Sequence, residues 1–132
     1  MKPLRIVVLG GTGFVGRHLV ARLHADGHSI RVLSRNRDRK RELSVLPRVR
    51  IDNCDVHDAA ALARALIAAC KANSVPRLLQ MSALRAGEGS SHYLRTRAEA
   101  EARVRNSGLA WTIFRPSVIF GRDDGLFTRF AA

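Results

Sequence analysis

Gly10-Gly11-Thr12-Gly13-Phe14-Val15-Gly16 sets glycines at 10, 13 and 16, a spacing suited to bringing backbone amides against a diphosphate. Glycine at 10 permits a tight turn, glycine at 13 lets a pyrophosphate approach the backbone, and glycine at 16 allows a helix to pack closely on a sheet. A helix that begins at the loop adds free N–H groups and the positive end of its dipole, both of which attract phosphate. The flanking sequence supplies those elements. Val7, Val8 and Leu9 read as a buried strand running into the loop, and Val15, Leu19, Val20 and Leu23 recur at helical spacing after it. Glycines also gather in turns for steric reasons alone, so the motif gains its meaning from the uninterrupted order of strand, loop and helix. The expected ligand is a dinucleotide, with Gly10, Thr12, Gly13, Phe14, Val15 and Gly16 around its pyrophosphate.

A second chemical signal lies one strand further on. Proteins that take NAD usually end this strand on a carboxylate that accepts hydrogen bonds from the ribose hydroxyls and repels a phosphate. Here the place is occupied by Ser34-Arg35-Asn36-Arg37. The planar fork of Arg35 suits a phosphate dianion, and Ser34 can add a hydroxyl contact. NADP is therefore the expected cofactor, with NAD as the alternative. Arg37, Arg39 and Arg41 fall on the turn or helix that follows and read as a solvated basic face.

The elements that must position these residues follow from periodicity and punctuation. Strands are predicted at Leu4 to Leu9, Ser29 to Ser34, Arg50 to Cys54, Arg77 to Met81 and Ala110 to Phe114. Helices are predicted at Phe14 to Ala25, closed by Asp26-Gly27, and at Arg37 to Leu46, stopped by Pro47. Further helices are predicted at Ala59 to Ala72 after an Asp58 cap, at Ser91 to Asn106 before Gly108, and from Asp123 to Phe130. Strands alternating with helices imply an α/β fold, a Rossmann-like doubly wound parallel sheet of about five strands with right-handed crossovers. Ligands of such sheets lie beyond the carboxyl ends of the strands.

Composition sets the outer bounds. A chain of 132 residues, 46% hydrophobic and 26% charged, fits one soluble domain over residues 1–132. No stretch reaches the ~18 apolar residues of a membrane span, and Met1-Lys2-Pro3 leads straight into a strand, so a cytosolic protein without a signal peptide is expected. Cys54 and Cys70 have no metal-ligand spacing and read as reduced thiols; no metal is expected. The formal charge of +12 rests on 23 basic residues, of which only Lys2, Lys40 and Lys71 are lysine. Nucleic acid, anionic lipid, an acidic protein or a phosphate-bearing cofactor would each answer that charge. With aromatics at 5%, stacking residues are scarce and nucleic acid is not the expected partner.

Taken together, the chain resembles the short-chain dehydrogenase/reductase superfamily in its extended or atypical branch. Val8 to Gly16 is similar to that branch's phosphate loop, and Asp55-Val56 with Asp58 to the segment that brackets the adenine. Tyr93 to Arg97 stands where the family has Tyr-x-x-x-Lys, and Arg115-Pro116-Ser117-Val118-Ile119-Phe120-Gly121 resembles the stretch flanking nicotinamide and substrate. Within the branch the likeness is to relatives of the nucleotide-binding accessory subunit of respiratory complex I. The resemblance implies Gly10, Gly13, Gly16, Arg35, Asp55, Val56 and Pro116 at the cofactor. It also implies Tyr93 as proton donor or acceptor, Arg97 in the place of the lysine that tunes it, and Ser82 near the reacting carbonyl, with Ser90 and Ser91 as competitors.

Two departures temper the catalytic reading. Arginine keeps the charge at 97 but not the compact ammonium, and the alternative for this pair is that Arg97 simply bridges Glu101 at i, i+4. Between the third and fourth strands the chain has one helix, Asp58 to Ala72, where the family has a helix, a strand and a second helix. About one βα unit is expected to be absent, with the join near Leu66-Ile67 and a compact strand order 3-2-1-4-5. The substrate lobe usual in the branch is likewise not expected within these residues. Three functions compete: an NADP-dependent oxidoreductase, a catalytically silent dinucleotide-binding sensor or accessory subunit with a respiratory-chain partner, and a basic module for nucleic acid or an anionic membrane surface. The second carries the expectation of a peripheral place at the inner membrane.

Overall fold

Strands and helices alternate through the whole described chain. The computed structural model describes residues 2–34, 41–53, 59–121 and 124. Its elements are β1 (Arg5–Leu9), α1 (Phe14–Ala25), β2 (Ser29–Ser34), α2 (Arg41–Ser44), β3 (Val49–Asn53), α3 (Ala59–Ala72), β4 (Leu78–Met81), α4 (His92–Arg105) and β5 (Trp111–Phe114). α1, β2 and α3 have the bounds the sequence predicts, and the other strands shift by a residue. Of the helix expected over 37–46, residues 37–40 lie outside the described residues, and the described part, α2, ends at Ser44, two residues early. The helix expected from Asp123, the Asp58 cap and Cys54 lie outside the described residues, Asp124 excepted.

Helix ends follow their punctuation. α1 stops at Asp26, and Gly27 then takes φ +87°, the left-handed conformation that glycine adopts without strain. At α4 the Ser91 hydroxyl accepts the Leu94 N–H at 3.2 Å, one of the amides a helix start leaves without a partner.

All the ladders are parallel. β1 pairs with β2 from Arg5 opposite Ser29 to Leu9 opposite Leu33, β2 with β3 from Ile30 opposite Val49 to Ser34 opposite Asn53, and β4 with β5 from Leu78 opposite Trp111 to Met81 opposite Phe114. These are the runs 3-2-1 and 4-5 of the expected order. The chain forms two compact units, one around each run.

Each unit buries one sheet face under helices. In the first, Val8, Ile30, Val32 and Ile51 alternate inward along their strands and meet Val20 of α1 and Leu43 of α2. Val20 and Val32 are wholly shielded from solvent. In the second, Leu78 packs with Cys70 of α3 and Val104 of α4, flanked by Leu66, Ile67, Leu109, Trp111 and Ile113. Parallel pairing aligns the carboxyl ends of the strands, so β1 and β2 end together at Leu9 and Ser34, and β4 and β5 end together at Met81 and Phe114.

Candidate functional site

The turn out of β1 depends on its glycines for different reasons. Gly10 has φ +72°, a conformation costly to any residue with a Cβ. A Cβ on Gly16 would collide with the Gly10 carbonyl oxygen and come within 2.6 Å of the Gly11 Cα, so this glycine lets α1 close onto the loop itself. Gly11 was not singled out in the sequence, yet a Cβ there would stand 2.8 Å from Val32 Cγ1. The loop thus lies directly on the buried β2 side chain. Gly13 differs: its φ of −77° and ψ of 177° suit any residue, and its added Cβ would approach only the Gly10 carbonyl, at 3.3 Å. The fold's demand at this position is the mildest of the four: that contact is tight, and the Gly10 carbonyl must yield by a few tenths of an ångström to admit a methyl.

Gly13 is also the N-cap of α1, where no side chain caps the helix and the first turn holds no acidic residue. The Gly13 N–H donates to Gly10 O at 3.0 Å, which folds the loop back on itself. An uncapped helix start, an exposed Gly13 and a loop packed on Val32 of β2 fit a pyrophosphate. Phe14 begins the helix with its ring edge-on to His18 at 5.7 Å and the Arg17 guanidinium 5.8 Å from its centroid. Gly121 faces the same ring, 3.7 Å from Phe14 Cζ to where a Cβ would be. Val15 is half-buried in the first turn.

At the end of β2, the Thr12 and Ser34 hydroxyls lie 3.0 Å apart and Ser34 is buried. That hydrogen bond ties the phosphate loop to the place where cofactor preference is set. Arg35, Asp55 and Val56 lie outside the described residues.

In the second unit, Tyr93 and Arg97 meet on α4: the guanidinium lies over the ring, 5.0 Å from its centroid, and Tyr93 is 54% exposed. Ser82, at the carboxyl end of β4, is buried, and neither Tyr93 nor Arg97 hydrogen-bonds to it among the described residues. Ser91 caps α4, and the Ser90 carbonyl accepts from Arg95 Nη1 at 3.0 Å. Pro116 is half-buried, and its carbonyl accepts the Leu84 N–H at 2.9 Å.

The expected Arg97–Glu101 bridge is replaced by another. Glu101 is 2% exposed and takes Arg115 on both oxygens, Nε to Oε1 at 2.8 Å and Nη2 to Oε2 at 2.6 Å, with Arg105 adding a contact at 3.3 Å. The Arg115 guanidinium, outweighing the effect of burial and helped by Arg105, lowers the Glu101 carboxyl to about 2. The carboxylate in turn raises Arg115. The signal for Glu101 is its register on α4: it stands three residues before the buried Val104, so a helix that buries one buries the other.

Comparison with known proteins speaks to the family and the fold. Residues 6–75 match the NAD dependent epimerase/dehydratase family, and residues 61–128 match an NAD(P)H-binding family. The epimerase family protein SDR39U1 homolog, chloroplastic, of Arabidopsis thaliana is 48% identical over 40 residues, which is 30% of this chain and 12% of that one. Among solved structures, the Bordetella bronchiseptica enzyme WbmH in complex with NAD+ superposes with TM-score 0.79 at 14% identity, covering 97% of this chain and 62% of that one. An NADPH-dependent quinone oxidoreductase from Escherichia coli superposes with TM-score 0.63 at 22% identity, over 86% of this chain and 46% of that one. The chain therefore spans less than two thirds of these relatives, and the structural likenesses speak to the fold. With a family match over more than half its length, the chain belongs to the NAD dependent epimerase/dehydratase family.

Proposed function

We propose that this chain binds NADP(H) through the Gly10 to Gly16 loop and is an oxidoreductase by descent, of the atypical short-chain dehydrogenase/reductase type. The observation that carries the reading is the exposed, side-chain-free Gly13 at an uncapped helix start. The first amides of α1 hold the pyrophosphate where it approaches the side-chain-free Gly13, Thr12 is fixed by Ser34, and Arg35 takes the 2′-phosphate. When bound, the nicotinamide supplies a hydride donor or acceptor. Tyr93 and Pro116 are the proposed residues at its end, with Arg97 beside the tyrosine. The relatives support a dinucleotide of either kind: one solved neighbour is described as NADPH-dependent and another holds NAD+.

A second reading, that the chain binds a dinucleotide without turning it over, as a sensor or as an accessory subunit of the complex I type at the inner membrane, is favoured by a specific contact. Arg97 is engaged on the Tyr93 ring face, where a lysine would offer a compact donor to the cofactor ribose. The overlap of the two family matches at residues 61–75, within and after α3, supports an absent βα unit joined near Leu66. No helix among the described residues is long and apolar enough to cross a membrane. A basic module for nucleic acid or anionic lipid is the third reading and predicts steep salt dependence.

Titration of the full chain with NADPH and NADH, followed by cofactor fluorescence, tests the proposal. Tighter binding of NADPH by tenfold or more is expected, since the 2′-phosphate adds a charge-assisted contact to Arg35. Equal affinities would remove Arg35 from the site, and no binding of either would remove the proposal.

A further inference from the structure

The two sheets differ on the face that the described helices leave uncovered. In β4 and β5, Leu78, Trp111 and Ile113 point to the side packed with α3 and α4, and the register puts Leu79, Met81, Thr112 and Phe114 together on the other. Leu79, Met81 and Phe114 are 61%, 44% and 49% exposed there. The uncovered side of β2 and β3 carries Arg31, Arg50 and Asp52 instead. Alternation of apolar and charged residues marks a face dressed for water, whereas parallel strands that are apolar on both sides are built to be covered on both. β4 and β5 are of the second kind, and their outer apolar face lacks its layer among the described residues.

The size of that face limits what fits it. Two strands about 5 Å apart, each of four residues rising about 3.3 Å, make a strip roughly 10 by 13 Å. Such a strip falls far short of the ~800 Å² a side that a stable dimer of standard size buries, so a second copy of this chain finds too little here. It equals the footprint of one α-helix, ~10 Å wide, over about two and a half turns. Charge completes the description. Arg77, one residue before β4, lies on the same side, its Nη1 donating to Thr112 Oγ1 at 3.1 Å. Around it, Arg and Lys outnumber Asp and Glu nine to four between Val56 and Ile119.

We propose that the outer face of β4 and β5 is a docking surface for one amphipathic helix of a partner protein, apolar along one side and carrying an acidic residue placed to meet Arg77. Leu79, Met81 and Phe114 form the floor, on which apolar anchors of the helix at i, i+3, i+4 and i+7 lie. Met81 adapts its unbranched side chain to the ridges of the helix. Arg77 sets the direction, because it stands at the amino end of the strip, whereas Arg115 at the other end is turned to Glu101 on the helix-covered side. Every residue of the surface belongs to the second unit, and the proposal is independent of the dinucleotide reading.

The test uses the full chain and three fluorescein-labelled helical peptides of equal length. One has a leucine side flanked by glutamate, one has the same leucines flanked by lysine, and one keeps the glutamates but has alanine for leucine. The first is expected to bind about tenfold or more tightly than either of the others, by fluorescence anisotropy at about 0.15 M salt. Leu79→Thr keeps a strand-forming residue at an exposed position, so it is expected to weaken that binding about tenfold with an unchanged melting temperature. Arg77→Glu is expected to invert the preference between the glutamate and lysine peptides. Equal binding of the alanine peptide would reduce the effect to net charge, and no binding of the first would leave the face without a helix; either overturns the proposal. So does a marked fall in the melting temperature of Leu79→Thr, which would show the face to be covered within the chain. A wild-type dimer in sedimentation that Leu79→Thr dissociates would assign the face to a second copy and overturn it as well.

Discussion

The Arg97 guanidinium lies 5.0 Å from the centroid of the Tyr93 ring, one helical turn away on α4. Glu101, the other residue one turn from Arg97, is taken by Arg115, which leaves the ring face as the partner for the arginine. Such a contact at an exposed site is worth about 0.5–1 kcal/mol and holds the cation over the π-face. Replacing Tyr93 with Phe keeps that face and removes the hydroxyl. NADPH affinity is expected to stay within about twofold, since the change touches neither loop nor 2′-phosphate site; turnover with carbonyl acceptors, wherever it is measurable in the wild type, is expected to drop by about 10²–10⁴. Unchanged turnover would take Tyr93 out of the chemistry.

Two glycines of the loop are expected to separate folding from binding. Gly13→Ala meets the Gly10 carbonyl at 3.3 Å, a tight contact but in a conformation open to all residues, so its melting temperature should fall much less than that of Gly16→Ala while NADPH affinity falls at least tenfold. Gly16→Ala drives a methyl into the loop backbone and is expected to cost more than about 1–3 kcal/mol, the usual range for overpacking, with binding lost as a result. Parallel thermal melts and cofactor titrations of the two variants check the difference.

Acid should unload the Glu101 clamp. Its carboxyl is lowered from 4.5 to about 2 by Arg115 first. A group whose pKa is lower folded than unfolded stabilises the fold above the unfolded value and ceases to do so as pH falls through the folded one. The stability difference between wild type and Glu101→Gln is therefore expected to be constant above about pH 4.5 and to shrink steadily toward pH 2. Denaturant unfolding of both proteins across that range measures it; a pH-independent difference would contradict the ion pair.

Val32 is shielded completely and carries the loop on its side chain through Gly11. Val32→Ala is expected to destabilise by about 2–3 kcal/mol, combining lost burial with a residual cavity, and to loosen the loop as well. A lower denaturant midpoint together with weaker NADPH binding is the expected pair of results.

By contrast, Asp52 lies between Arg31 and Arg50 on the solvent side of β2 and β3, and its carboxyl is lowered by those two hydrogen bonds. Both arginines are more than half exposed, so Asp52→Asn is expected to leave the denaturant midpoint nearly unchanged, and any difference from the wild type is expected to vanish in high salt.

Much of this architecture was legible in order. The bounds of α1, β2 and α3 follow from apolar spacing and from Gly27 and Asn73, because local signals and tertiary packing agree there. The glycine loop could be read as a phosphate site, since strand, turn and helix sit in adjacent residues. Glu101 could not be read the same way. Its partner Arg115 lies fourteen residues on, past a helix end and a whole strand, and among so many arginines nothing local distinguishes the one that reaches it from Arg97, the nearer candidate. Likewise Gly11 looks redundant beside Gly10 until β2 is placed under it, for the demand on it comes from Val32, twenty-one residues later. Local chemistry is visible in sequence; contacts across elements are chosen by the fold.

The division of labour among the loop glycines bears on how such motifs are interpreted in other chains. Positions 10, 11 and 16 are held to glycine by the backbone, by Val32 and by the helix, with no ligand involved. A descendant that had abandoned nucleotides altogether would still be under selection to keep all three, and would go on matching the pattern. Position 13, with no left-handed φ and only one tight contact to yield, is the least constrained of the four once the ligand is gone. Whether that single residue has remained glycine across a lineage is therefore the informative character, and the rest of the signature records the ancestry of the turn.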